Sequence, residues 1–366
     1  MNEKSGYTWK NLEETVAALP DYKNRLDGAK IVIFGMGMMG SFAYERMKVN
    51  YQIYAFSDNN EKFWQGTHKG LPVIEPEQLK EMQDIIVVIA VTGQHYPAIK
   101  RQLEKMNVEH MTYAEYILKR EMEMFRTVYF ELLEDDCSRK TYVNLLMSHL
   151  TCDMSLLRDV FTREQYFALP DFCLSCTDEV FVDCGAYVGD TLEHFITNCG
   201  GIFKRTYSFE PTKKTYDAMC IRKERLLSEW ALEEGQIVTE QKIVGMDEGE
   251  CGFIEEKQGG KANRVTESEE ESSATIKSVA LDAYFANKGD KPTFIKADIE
   301  GAERDMLLGA RNIIMAYKPR LAVCIYHRIE DLYEIPMQCH EMNPAYKMAI
   351  RQHMPNYHET VLYCWE

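Results

Sequence analysis

The sequence predicts an α/β protein built from two Rossmann-like units joined by a helical segment. Lys30–Phe34 (KIVIF) and Val180–Cys184 (VFVDC) are short apolar runs, and each leads into a glycine-rich turn. After each turn, strand-like and helix-like stretches alternate, whereas the stretch between the two units is patterned as helix alone. Apolar runs without polar alternation suit strands buried on both faces, and strand–helix alternation implies a parallel sheet. At 366 residues the chain is too long for one typical core, which also points to more than one domain. We place a first unit over 1–117, a helical connector or lid over 118–176 and a second unit over 177–366.

In the first unit the strand Lys30–Phe34 is followed by a helix reaching about Lys48, then a strand at 51–57 ending at Asp58. A short helix is expected at 76–82, a fully buried strand at 85–91 (IIVVIAV) and a helix at 96–106. Gly35, Gly37 and Gly40, with Asp58 about 20 residues further on, satisfy the dinucleotide fingerprint: glycines for a tight turn and close backbone approach, and an acid for a ribose. With Gly70–Ile74 (GLPVI), the unit resembles the nucleotide-sugar-binding N-terminal domains of polysaccharide enzymes. It is read either as a second nucleotide site or as a docking or dimerisation module whose glycines allow tight packing.

The connector carries apolar residues at helical spacing, namely Met122, Phe125, Tyr129, Leu132 and Leu133, then Tyr142, Leu145, Leu146 and Leu150. In the second unit, strands are expected at Val180–Cys184, Arg205–Phe209, 241–244, 293–297 and 320–326. Helices are expected at Asp190–Asn198, Lys213–Glu229, 301–315 and 330–342. Residues 345–350 and 360–364 suggest a closing antiparallel pair at the sheet edge. The stretch 250–279 reads as an extra hairpin or long loop before Leu281–Phe285.

Composition narrows the function. A net charge of −16 disfavours nucleic acid, whose phosphates need concentrated Lys and Arg. No apolar run is long enough for a membrane span, and no signal-peptide pattern opens the chain, so a cytoplasmic protein is expected. Eleven cysteines at irregular spacing fit reduced thiols in such a compartment. The lone pair Cys173 and Cys176 lacks a partner motif, and the acidic run Glu267–Glu271 reads as a solvated loop tip; neither is given a function.

The second turn differs from the first in its charge. An acid, Asp183, ends the strand, followed by Gly185, Ala186 and Gly189, with Asp190 and Thr191 opening a helix. A pyrophosphate site avoids such an acid, whereas a sulfonium or amino group would welcome it. Glu210 (YSFEP) ends the next strand, where a carboxylate can accept hydrogen bonds from both ribose hydroxyls. Later, IKADIEGAE brings Asp298, Glu300 and Glu303 to the end of a strand, where an open α/β sheet places its ligand crevice. Lys296 within that strand reads as a partner for one of these acids.

In order, VFVDCGAYVGDT, YSFEP, SVALDAYF, IKADIEGAERDMLLGA and LAVCIYHRIEDLYEIP resemble the FkbM family of methyltransferases from about Glu179 to the C-terminus. The resemblance implies a class I methyltransferase with a seven-stranded sheet, S-adenosylmethionine as cofactor, and an O-methyltransferase acting on a sugar or glycoconjugate hydroxyl, as in polysaccharide biosynthesis. Carried over by position, Asp183, Gly185, Ala186, Tyr187, Gly189 and Thr191 line the methionine and sulfonium region. Glu210 and Pro211 hold the ribose, and Asp298 and Glu300 face the methyl donor or the acceptor. Tyr187 departs from the smaller or polar residue common at that position. His327, at the end of the strand 320–326, is the first candidate for a general base and Asp298 the second. Tyr326, Glu330 and Asp331 are further acceptor candidates, as is a polar cluster of Tyr346, Arg351, His353 and Asn356. Asp298, Glu300 and His327 are chemically able to hold Mg²⁺, but their spacing does not demand it, and no metal is assigned. The expected partners are a small-molecule or glycan acceptor, including a nucleotide sugar, and the chain is compatible with a homo-oligomer. Two rival functions stay open: an NAD-dependent oxidoreductase using the first unit, and a non-catalytic nucleotide-sensing or scaffold protein.

Overall fold

The computed structural model describes residues 6–173, 176–254, 264–266 and 274–366; the acidic run Glu267–Glu271 lies outside them. Strands β1 (Lys30–Phe34), β2 (Ile53–Ser57), β3 (Thr67–His68), β4 (Leu71–Ile74), β5 (Ile85–Ile89) and β6 (His110–Thr112) form a first sheet in the order β3-β4-β2-β1-β5-β6. All neighbours are parallel except β3 and β4. β1 and β5 lie at its centre and are buried on both faces, which is why their sequences are apolar without alternation.

The second sheet contains β7 (Val180–Cys184), β8 (Arg205–Phe209), β9 (Ile237–Glu240), β14 (Phe294–Ala297), β15 (Arg320–Cys324), β16 (Lys347–Gln352) and β17 (Thr360–Trp365). Their order is β16-β17-β15-β14-β7-β8-β9, and β17 runs antiparallel to both neighbours. The expected closing pair is therefore present, with one strand inserted beside β15 and the other at the edge. The strand order reverses between β7 and β14, and such a switch point opens a crevice beyond the carboxyl ends of the strands.

Two elements differ from expectation. The strand placed at 241–244 is instead β9, paired in register with Thr206–Phe209; Ile243–Val244 (β10) peels away to pair with β13 (Ala274–Val279). Two short β-branched runs stand side by side in QIVTEQKIV, and only the first stays in the main sheet. β10 and β13 form a small sheet with β11 (Gly249–Ile254) and β12 (Arg264–Thr266), so the expected hairpin is there. The helix placed at 301–315 is two helices, Glu303–Gly309 and Arg311–Tyr317. The break falls at Ala310, after Gly309 packs its backbone directly against the Gly245 carbonyl.

The connector is helical as far as Arg158 and irregular from 159 to 169, and its first helix starts earlier than expected. Thr112 and Glu115 form a reciprocal capping box, which fixes the start of a helix at Tyr113. This helix, Tyr113–Thr127, spans the boundary placed at 117 and kinks at Glu121, where φ is −112° and ψ 20°. A second helix, Asp136–Thr151, is capped by the Asp135 side chain. Phe125, Leu133, Tyr142, Leu145 and Leu146 are buried in one apolar core that extends from Ile31 and Phe56 in the first sheet to Ile350 and Leu362 in the second. The connector is thus a shared wall rather than a tether. Tyr113 hydrogen-bonds Glu330, and Tyr142 donates to the Leu332 carbonyl at 2.9 Å. Arg46 on the helix Met38–Met47 donates to the Tyr333 hydroxyl at 3.1 Å.

The glycines of the first turn differ in what they do. A Cβ on Gly40 would lie 2.0 Å from the Gly35 carbonyl oxygen, whereas a Cβ on Gly37 meets nothing within 4 Å. Gly40→Ala is therefore expected to destabilise the protein by about 2 kcal/mol or more. Gly37→Ala, at an extended helix N-cap, should cost less than about 1 kcal/mol. Equilibrium urea unfolding of the two variants measures both.

Candidate functional site

At the switch point of the second sheet, β7 ends in Asp183 and Cys184, and the chain turns through Gly185, where φ is +81°. A Cβ here would sit 1.9 Å from the Asp298 carbonyl oxygen, so only glycine fits both the backbone and the gap. The Gly185 and Ala186 N–H groups donate to the Phe209 carbonyl, at 3.0 and 2.9 Å, tying the turn to β8. Glu210 follows directly. Its Oε2 accepts the Tyr187 N–H at 3.0 Å, and its Oε1 accepts the Thr212 N–H at 2.9 Å and the Thr215 hydroxyl at 2.7 Å. Glu210 thus closes against the glycine turn, with Pro211 beside it. Gly189 has φ +78° and starts the helix Asp190–Asn198. Ala186 and Thr191 are buried under the turn, while Tyr187 is exposed at φ +49°.

Asp183 does not meet open space. It is fully buried, and its Oδ1 lies 3.0 Å from Lys296 Nζ. Lys296 also donates to the Gly185 carbonyl at 2.7 Å. Burial alone would strip the lysine of its proton, but Asp183 and Asp298 hold it charged. The cation that Asp183 was expected to meet in a ligand is supplied here by the protein.

Asp298, one residue past β14, receives the Tyr166 hydroxyl on Oδ2 and the Tyr326 hydroxyl on Oδ1, both at 3.0 Å. Burial pushes its pKa up, and Lys296 and His327 more than reverse this, so it is held below the usual carboxylate range. Glu300 stands in the left-handed region at φ +57°, a conformation costing a non-glycine residue about 1 kcal/mol or more. Burial, reinforced by Asp298 and Glu303, raises its pKa to about 7. His327 is buried among three carboxylates. Nδ1 lies 3.2 Å from Glu303, and Nε2 lies 3.6 Å from both Asp298 and Glu300. Burial opposes its protonation, but the three acids outweigh that and raise its pKa to about 10.

The structure therefore brings His327, Asp298 and Glu300 together beside the Gly185 turn, where the three acids favour the protonated form of the imidazole. Glu330 and Asp331, proposed as acceptor contacts, are engaged elsewhere. Glu330 accepts from Tyr113, and Asp331 is fully buried and pairs with Arg328 at 2.8 Å. The polar cluster near the C-terminus is also structural. Tyr346 donates to the Pro319 carbonyl at 2.6 Å, Arg351 pairs with Asp135 at 3.1 Å, and Asn356 accepts from Gln352 and His358.

Several site residues carry no signal in the sequence. Tyr166 arrives from the connector, in a stretch without helical or strand periodicity. Phe42, on the helix Met38–Met47 of the first unit, lies against Gly301 and under the Arg328 guanidinium, 5.4 Å from the ring centroid. The two units thus meet beside the acidic cleft. The first glycine turn mirrors the second: the Gly35 N–H donates to the Ser57 carbonyl at 2.8 Å, and Asp58 Oδ2 accepts the Met36 N–H at 3.1 Å. Asp58 Oδ1 accepts the Asn60 N–H. Among the described residues, two groups could hold a metal: Asp298, Glu303 and His327, and Asp298, Cys324 and Glu359. The eleven cysteines are all free thiols, including Cys173 and Cys176. Among the described residues no helix is long and apolar enough to cross a membrane.

Comparison with known proteins bears on this arrangement. Residues 183–348 match the family model described as the methyltransferase FkbM domain, and residues 28–112 match one described as C2185-like, N-terminal. Among solved structures, methyltransferase FkbM from Methylobacillus flagellatus KT superposes with a TM-score of 0.59 at 21% identity, covering 97% of this chain and 98% of that one. A far looser match is an rRNA methylase from Streptococcus thermophilus, with a TM-score of 0.30 and 14% identity over 59% of this chain and 93% of its own. No curated protein matches the chain.

The position of Tyr166 depends on a short relay. The Tyr166 N–H donates to the Tyr363 hydroxyl oxygen at 2.9 Å, and the Tyr363 hydroxyl lies 2.8 Å from His353 Nε2. His353 Nδ1 lies 2.8 Å from the Thr162 carbonyl, so Nδ1 carries the proton and Nε2 accepts. Burial lowers the His353 pKa from 6.5 to about 4. The unfolded chain takes this proton near pH 6.5 while the folded protein refuses it until about pH 4. Unfolding therefore takes up a proton in that window, and stability should fall as pH drops through it, by up to about 3 kcal/mol. His353→Gln, which can serve both neighbours without titrating, should lessen the fall between pH 6.5 and 4 in denaturation midpoints, leaving the share that His149, lowered by burial to about 4, contributes over the same window.

Proposed function

We propose that the second half of the chain, whose residues 183–348 match the methyltransferase FkbM domain, transfers the methyl group of S-adenosylmethionine to a hydroxyl of a sugar or glycoconjugate. The observation that carries this reading is Glu210, buried at the end of β8 and closed onto the glycine turn at the switch point. A carboxylate so placed is suited to a ribose, and the Gly185–Gly189 turn beside it suits the methionine moiety. Asp183 acts there at one remove: it holds Lys296, and Lys296 holds the Gly185 carbonyl.

The acceptor reading rests on the charge of the cleft. Asp298 and Glu300 are partly open to it, with side-chain exposures of 20% and 30%. Carboxylates accept hydrogen bonds from hydroxyls and repel phosphates, which favours a polyhydroxylated acceptor. Methyl transfer to oxygen is an in-line displacement, so the enzyme's tasks are to align donor and acceptor and to take the hydroxyl proton. Asp298 is the group we assign to that proton, oriented by Tyr166 and Tyr326. The first unit, reaching the cleft through Phe42, is read as the wall against which the acceptor rests; its turn at Gly35, Gly37, Gly40 and Asp58 remains a candidate nucleotide site.

Calorimetry with S-adenosylhomocysteine tests the donor. Glu210→Ala should weaken binding roughly a hundredfold, the worth of two hydrogen bonds to a charged group. Unchanged binding would remove the basis for the assignment. Asp298→Asn should keep that affinity while lowering the rate of methyl transfer to a glycan pool, followed with methyl-labelled donor.

A further inference from the structure

The two crevices of the molecule open toward each other. In each sheet the crevice lies beyond the carboxyl ends of the parallel strands, and the two units touch at those ends. Phe42, in the helix that follows the first glycine turn, meets Gly301 just past β14; a Cβ on Gly301 would lie 3.0 Å from the Phe42 ring and 3.7 Å from His327 Cβ. Tyr357, in the loop between β16 and β17, covers Gly93 just past β5, where a Cβ would lie 2.0 Å from its ring. The next residue, His358, packs edge-on against Tyr326, with ring centroids 5.7 Å apart, and Tyr326 holds Asp298. Tyr357 and His358 thus run from the mouth of one crevice to the mouth of the other.

The two mouths differ in charge. Asp298 and Glu300 line the second, whereas β1 ends in Phe34 and leads into a ten-residue helix. The N-cap of that helix, Gly37, makes no side-chain hydrogen bond, so the first N–H groups are available to an anion. Gly37 is exposed and extended, at φ −74° and ψ −168°, and a Cβ there would meet nothing within 4 Å. Neither its conformation nor its neighbours call for glycine; what glycine provides is open space against the backbone. Asp58 closes on this turn as Glu210 closes on the other. In the second mouth one buried group lacks a partner. His327 is 3% exposed, and its Nε2 lies 3.6 Å from both Asp298 and Glu300, with no hydrogen bond among the described residues. A hydroxyl both donates and accepts, so it suits the space between ring and carboxylates in either protonation state of the imidazole.

We infer that one molecule occupies both crevices: a nucleoside diphosphate sugar, its diphosphate at the Gly35–Gly40 turn and its sugar between Asp298 and His327. Gly37 and Phe42 are separated by about 7.5 Å of helix, a distance that a diphosphate and the sugar it carries can cross. The acids repel phosphates and accept from hydroxyls, while the first turn favours the anion, so the charges admit the molecule in one direction only. The use of the sugar as methyl acceptor rests on the methyl-transfer reading. Its binding does not.

Calorimetry on the purified full chain tests this with ADP, CDP, GDP and UDP, their hexose conjugates, and NAD⁺. At least one diphosphate should bind with about micromolar affinity, and a hexose conjugate of it roughly tenfold more tightly. Gly37→Asp should weaken both by roughly tenfold or more, because its carboxylate faces the phosphates. Asp is a favoured N-cap, so the helix keeps its start. Asp298→Ala should leave the diphosphate unchanged and erase the gain from the sugar; if that variant also loses the diphosphate, Asp298→Asn replaces it. Absence of diphosphate binding at millimolar concentration, or NAD⁺ binding more tightly than every conjugate, overturns the proposal. So does a conjugate no tighter than its diphosphate, or a gain that survives at Asp298. S-adenosylhomocysteine is titrated into the same samples. Donor binding without nucleotide binding sinks this inference and spares the methyl-transfer reading, and the reverse result sinks only that reading.

Discussion

The buried pair of Lys296 and Asp183 holds the second sheet in the form the site requires. It joins the two central strands on either side of the switch point. Through its third contact, the Gly185 carbonyl, it also sets the path of the glycine turn. The ammonium lies 5.1 Å from the centroid of the Tyr166 ring, so the residue that orients Asp298 also rests on it. A buried ion pair of this kind adds little net stability compared with a well-packed apolar pair, because desolvation consumes most of the Coulomb gain. Removing one partner alone, however, typically costs about 3–5 kcal/mol, since the other is left charged and dry. The pair therefore acts less as glue than as a constraint on geometry.

From that constraint the cleft is assembled by residues far apart in the chain. β7 and β8 supply the glycine turn and Glu210, β14 supplies Asp298, and β15 leads to Tyr326 and His327. The connector adds Tyr166, and the first unit adds Phe42. The shared apolar core explains how such pieces keep register. Helix Asp331–Met342 is fastened to the connector by Tyr113 and Tyr142 and to the first unit by Arg46, so the three parts are packed as one body around the acids.

Much of the fold was legible in the sequence because burial on both faces of a central strand leaves an unmistakable apolar run. Lys30–Phe34, Val180–Cys184 and the glycine turns after them are of that kind, and so is the acid at Glu210. Less legible were features decided by tertiary contact. Nothing local distinguishes Ile237–Glu240 from Ile243–Val244 as the continuing edge strand, since both are short and β-branched. Beside the break at Ala310, Gly309 packs against the Gly245 carbonyl, distant in sequence. Asp183 was recognised as significant from its position, but its buried partner Lys296 changes what it can touch. His327 was recognised from its place at a strand end, while the three carboxylates that favour its protonated form are brought together only by the fold. Tyr166 had no signal at all, because a residue whose role is one hydrogen bond leaves no periodic trace.

The relay through His353, Tyr363 and Tyr166 bears on how this protein can be divided. The region similar to other FkbM domains begins at residue 183, yet Tyr166 and its support from Thr162 lie upstream. A boundary drawn by family similarity thus cuts through the candidate site, leaving Asp298 with one tyrosine in place of two. Exchanging the second unit without the connector would remove one of the two hydroxyls that hold this carboxylate.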